Sequence, residues 1–190
     1  MKKILILIFI IMLGCVDMAP QHFYYTHMEN YEWCSREIKV YIDSEFGEED
    51  KVEIGKAIDA WNYVLNGAII IRVEDSRFDV DKRSIDGWVI IRGGVNENGV
   101  RWTGTKTALA YADRVGGNRV WLIRERVDSG DIREVMMHEM GHLLGSGHMN
   151  DGLMYYQYTR KRYECIGWEV VREVGKWNKI GIERMNYCIK

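Results

Sequence analysis

The chain has 190 residues, of which 47% are apolar and 28% charged, usage that suits one domain with its own core and argues against disorder. The formal net charge of -2 leaves no electrostatic case for a nucleic-acid partner, because a phosphate-binding surface needs a clustered basic excess. No repeat, low-complexity tract or long linker interrupts the chain, and with Pro20 as the single proline, glycine and asparagine mark its turns.

In chain order, Lys2 and Lys3 precede an unbroken apolar run from Ile4 to Leu13. That run is too short to span a bilayer as a helix but has the basic-then-apolar form of an export signal, so residues 1–14 are expected to be a signal peptide. The run ends Met12-Leu13-Gly14-Cys15, which resembles a bacterial lipoprotein signal whose cysteine is lipidated; Leu13 stands where a smaller residue is commoner, and plain secretion is the alternative. The chain is therefore expected to be exported, either anchored to the cell envelope or secreted, with membrane attachment only through a lipid on Cys15. Loss of residues 1–14 removes two lysines and leaves a charge of -4. Residues 15–34 read as a tether and lead-in, where His22 and His27 are solvated polar side chains. Residues 35–190 read as the folded domain.

Within that domain, Glu37 to Asp43 alternates Ile38, Val40 and Ile42 with polar neighbours, the pattern of a half-buried strand. A helix follows, with Glu48, Glu49 and Asp50 at its positive end and Ile54, Ala57, Ile58, Trp61 and Leu65 at helical spacing. Asn66-Gly67 supplies a left-handed stop. Ala68 to Val73 and Trp88 to Ile91 are apolar runs that read as buried strands. Gly93 to Gly99 reads as a loop, Ala108 to Ala112 as a short strand, Gly116-Gly117-Asn118 as a turn and Val120 to Ile123 as another strand. Strands followed by a helix in this order predict a mixed sheet with helices packed on one side. The next helix opens with Asp131 and Glu134 spaced as a capping box and carries Ile132, Val135, Met136, Met140 and Leu143 as a core-facing stripe. Trp168 to Lys179 predicts a closing helix with Val171, Val174 and Trp177 partly periodic. The seven tryptophans and eleven tyrosines are scattered through these elements, which favours core packing over a carbohydrate-binding surface.

The chemistry lies in His138-Glu139-Met140-Gly141-His142-Leu143-Leu144-Gly145-Ser146-Gly147-His148. Residues four apart share one face of a helix, so His138 and His142 can offer two imidazoles to one metal, with Glu139 beside them to reach water. Gly145 can take the positive φ that ends the helix and lets His148 swing back as a third ligand. Three histidines leave a fourth position open, the arrangement of a catalytic zinc site.

Residues 138–148 match H-E-x-x-H-x-x-G-x-x-H and so resemble the metzincin zinc peptidases. Met154, within Gly152-Leu153-Met154-Tyr155-Tyr156, matches that family's Met-turn, an apolar floor beneath the histidines. The helix and the segment Ala108, Leu109, Ala110, Tyr111, Ala112 are most similar to the matrixin-like branch, where a strand so placed pairs with extended substrate. An exposed strand edge offers the unpaired backbone groups that this requires. The resemblance covers residues 108–156. It implies an α+β fold: a mixed twisted sheet of about five strands, an active-site helix, a backing helix, an upper subdomain 35–148 and a small lower subdomain 149–190. Two departures stand out. Met149 follows the third histidine and fits no branch, and Tyr111 replaces a structural zinc ligand, so one catalytic zinc ion is expected. Tyr156 stands where astacin- and serralysin-like enzymes have a tyrosine that stabilises the transition state; packing in the Met-turn is its other reading.

The expected function is a monomeric zinc-dependent endopeptidase acting on a peptide or protein substrate, in which Glu139 activates water at the zinc. A specificity pocket is expected between Glu139 and the segment after Met154. The alternative is a surface-displayed, zinc-containing binding protein without catalytic activity, which would have no use for Glu139; a zinc hydrolase of non-peptide amides is a third reading. Finally, cysteines outside the cytosol tend to pair. A Cys165–Cys188 disulfide would staple the C-terminal segment by about 3 kcal/mol, and Cys34 could pair with either; no CxxC spacing suggests a redox or structural-zinc motif.

Overall fold

The computed structural model describes residues 36–74, 86–96, 99–100, 107–160, 162–163 and 165–188. The expected signal peptide and tether, with Cys15 and Cys34, lie outside the described residues. Strand β1 (Arg36–Ile42) buries Ile38, Val40 and Ile42 and exposes Glu37 and Lys39, as its alternation requires. Helix α1 (Glu48–Leu65) starts with three acids in its first turn and stops at Asn66 in the left-handed region (φ 47), followed by Gly67 (φ 80). Its buried stripe is Ile54, Ala57, Ile58, Trp61 and Leu65. Then come β2 (Ile69–Val73), β3 (Trp88–Gly93), β4 (Val95–Asn96), β5 (Gly99–Val100), β6 (Ala110–Ala112) and β7 (Arg119–Ile123). Helix α2 (Ile132–Leu143) carries His138 and His142, and α3 (Trp168–Asn178) follows.

Five strands form one sheet in the order β2-β1-β3-β7-β6. The first four are parallel to one another, and β6 runs antiparallel to β7 at the edge. This is the expected α+β class with a mixed five-stranded sheet, an active-site helix and a backing helix. The two helices are joined where the Trp61 indole donates to the Met137 carbonyl at 2.9 Å within the core. A part-buried ion pair from Arg124 to Asp50 at 2.7 Å ties the start of α1 to the turn after β7, and the same guanidinium donates to the Val127 carbonyl at 2.6 Å.

Four local expectations are corrected. Strand β2 is an edge rather than a buried strand: Ile69 and Ile71 face the core, while Ile70 and Val73 are exposed. Consecutive isoleucines hide that alternation from a composition-based reading. The stretch after β3 is not wholly a loop, because β4 and β5 pair as an antiparallel ribbon; the asparagines and glycines that suggest a loop also suit a tight hairpin. The capping box at Asp131 does not form. A 3-10 turn, Ser129–Asp131, leads into α2, so Asp131 is already helical (φ -104, ψ -9) and makes no side-chain cap bond. Its carboxylate faces the Tyr158 hydroxyl instead. On α3, Val170, Val171 and Val174 are buried as the stripe, but Trp177 is 56% exposed and lies over glycines of two turns.

The C-terminal segment returns to the start of α3. Cys188 donates its backbone N–H to the Ile166 carbonyl at 3.1 Å, and its side chain forms a disulfide with Cys165. Asn186 donates its side-chain amide to Tyr63 of α1 at 2.7 Å, which fastens this segment to the backing helix.

Candidate metal centre and cleft

Helix pitch brings His138 and His142 onto one face of α2, and the end of the helix brings His148 back to them. The helix closes with the Ser146 N–H on the Gly141 carbonyl (2.9 Å) and the Gly145 N–H on the His142 carbonyl (3.0 Å), the paired bonds of a Schellman stop. Gly145 holds φ 98, and a Cβ there would run into the Trp177 indole, so both backbone and neighbour demand glycine. The His142 carbonyl also accepts from Gly116 at 2.8 Å, and Asn178 donates to the Leu144 carbonyl at 2.8 Å. The turn that redirects His148 is therefore gripped by the β6–β7 turn on one side and by α3 on the other.

The imidazoles are oriented by backbone carbonyls. Nδ1 of His138 lies 2.7 Å from the Leu153 oxygen, and Nδ1 of His142 lies 2.8 Å from the Ser146 oxygen. A carbonyl only accepts, so each Nδ1 carries the proton and each Nε2 keeps its lone pair. The His142 Nε2 is 3.2 Å from the Nε2 of His138 and 3.2 Å from that of His148. Lone pairs this close do not bond one another; together the three histidines form a group able to hold a metal ion. Zinc–nitrogen bonds of 2.0–2.1 Å in a tetrahedron place ligand nitrogens about 3.3 Å apart, and the two 3.2 Å separations from His142 fit that ion. Burial holds His138 neutral, lowering its pKa to about 4, and lowers that of His142 in the same direction.

Met154 lies fully buried beneath this group. A Cβ at Gly141 would come within 2.5 Å of its sulfur, which explains the glycine between the two helical histidines. Met149, after the third histidine, donates to the Met154 carbonyl at 2.8 Å and so ties the two ends of this loop together. Tyr156 is 61% exposed with its ring 6.5 Å from that of His148, beside the histidines rather than packed in the core.

Glu139 is buried beside His138, and burial raises its pKa to about 7 against the pull of the Ala112 amide on β6. The edge strand thus meets the acid directly. Flanking β6, Leu109 and Asp113 bond across to β7 (Ile123 N–H to Leu109 O, 2.8 Å; Asp113 N–H to Arg119 O, 2.9 Å). Alternation then turns the backbone groups of Ala110 and Ala112 outward, over a cleft of about 1000 Å³. Ala108 lies before the strand proper and spends its carbonyl on Arg126 at 2.9 Å. Tyr111 sits at the rim, its hydroxyl donating to the Asp113 carbonyl at 3.2 Å.

No family model matches the chain, and neither does any curated protein. Among solved structures it is similar to the crystal structure of metalloproteinase-II from Bacteroides fragilis. Identity is 17% and the TM-score 0.49, over 76% of this chain and 53% of that one. The chain thus spans about half the length of that neighbour.

Sequence reasoning missed four contributors to the site. The carbonyls of Leu153 and Ser146 leave no mark in a sequence, since any residue supplies one. Trp177 reads as part of a helix stripe. Glu134 was legible in principle: it lies four residues before His138 and so on the same helix face, and it lines the cleft.

Proposed function

We propose that this chain is a zinc-dependent endopeptidase. The observation that carries the reading is that the His142 Nε2 lies 3.2 Å from the Nε2 of both His138 and His148, beside a buried glutamate and a strand edge over one cleft. His138, His142 and His148 would hold the ion. Zinc bound there supplies Lewis acidity, which acidifies water and polarises a peptide carbonyl. The outward N–H and C=O of Ala110 and the C=O of Ala112 bind an extended peptide backbone as an added strand. Glu139 takes the proton of the attacking water on its carboxylate and passes it to the leaving amine nitrogen. A carboxyl raised to about 7 suits both halves of that transfer near neutral pH. Tyr156, whose ring is 6.5 Å from that of His148, would donate its hydroxyl to the scissile carbonyl oxygen as charge develops there. The enzyme works as an exported monomer, lipid-anchored through Cys15 or secreted.

The test compares the parent with Glu139→Ala for bound zinc and for cleavage of a mixed peptide library. One zinc per chain is expected in both, with cleavage reduced about 10³-fold in the variant. Absence of zinc would refute the reading, and so would a variant that cleaves at the parent's rate. One zinc with no cleavage by either protein would favour a binding protein instead.

A further inference from the structure

We propose that Glu134 makes the pocket beside Glu139 a receptor for a lysine or arginine side chain of the substrate, an inference that rests on the peptidase reading and deepens it. Glu134 is only 3% exposed, yet its side chain lines the cleft. Among the described residues its carboxylate makes no ion pair or hydrogen bond, and its oxygens are not sealed from solvent but open to the cleft. A carboxylate set this deep, solvated only through the cleft, gains most from a cation that enters there. The N-terminal end of α2 favours an anion here but offers only about half a charge. Among the described residues no whole cation pairs with it.

The surroundings fit a long stem with a charged tip. Val135, Tyr158 and Tyr163 line the same cleft and supply apolar wall for an aliphatic chain. The Tyr163 hydroxyl donates to the Gly152 carbonyl at 2.9 Å, which holds that wall in place. The Tyr158 hydroxyl bonds Asp131 and lies in the field of Glu134 and, with opposite sign, of Arg160; its oxygen can accept from an incoming cation. Arg160 is the opposing charge at the rim. Its side chain is 77% exposed and leans 3.8 Å from the Asp128 carboxylate, where water screens it. A glutamate in this pocket would meet repulsion, and an apolar side chain would leave Glu134 buried without a partner.

The experiment uses zinc-loaded chain and peptides that differ only in carrying lysine, arginine, norleucine or glutamate at each position beside the scissile bond. At one of these positions kcat/KM should favour lysine or arginine over norleucine by about 30-fold. Glu134→Gln, of the same shape without the charge, should collapse that ratio to near unity; Glu134→Met serves if the glutamine variant does not fold. Binding of the lysine and norleucine peptides is measured in parallel on Glu139→Gln protein, with and without Glu134→Gln. If the parent cuts no peptide, the peptidase reading fails and the binding ratio alone decides the pocket. A parent indifferent to basic residues, a preference that survives Glu134→Gln, or equal binding of the two peptides would overturn the inference.

Discussion

At the scale of single residues, the same burial acts with opposite sign on two neighbours. It raises Glu139 from the ordinary 4.5 to about 7 and lowers His138 from 6.5 to about 4. In chelated, metal-free protein the folded state therefore holds the Glu139 proton more tightly than the unfolded chain does. That contribution to stability is fully present below pH 4.5 and is lost as pH rises through 7. His138 works the other way, weakening the fold as pH drops from 6.5 through 4. Glu139→Gln keeps the histidine effect and removes the glutamate one. Urea unfolding of the chelated proteins should find the variant more stable than the parent above pH 7, with the gap closing towards pH 4.5. A gap that stays constant across this range would show that Glu139 does not titrate there.

At the scale of elements, the decisive junction is the stop of α2. Gly145 must hold φ 98 and must also lie flat against the Trp177 indole of α3. Gly145→Ala meets both obstacles at once, and its expected cost is about 2–4 kcal/mol. Removing the indole relieves only the second. In a Trp177→Ala background the same substitution should cost about 1–3 kcal/mol less, a coupling that a double-mutant cycle of urea midpoints measures directly. Equal costs in both backgrounds would mean that α3 does not brace this turn. The bracing matters because the turn sets where His148 arrives.

At the scale of the whole molecule, the three histidines gather residues from α2 and from the loop after it, so binding an ion should stabilise the folded chain as a unit. Free zinc at about 100 times its Kd adds about 2.7 kcal/mol when only the folded state binds it. The urea midpoint should rise on adding zinc and fall back with chelator, and His148→Ala should lose most of the rise. A midpoint indifferent to zinc in the parent would contradict the metal assignment.

Local physics made part of this legible beforehand. Helix pitch alone places His138 and His142 together, Gly145 announces the stop that frees His148, and Asn66-Gly67 announces the end of α1. In each case the cause lies within a few residues of its effect, so sequence by itself was enough to determine it. Other features depend on which parts of the chain meet. Three successive isoleucines do not reveal that β2 is an edge, because edge position depends on the pairing order of the sheet. Asp131 is spaced to cap α2, but the 3-10 turn before it and Tyr158 across from it draw it elsewhere. The depth at which Glu134 and Glu139 lie, the strand edge above them and the indole against Gly145 were settled by long-range packing, which brings distant segments into contact and is not written in any local pattern.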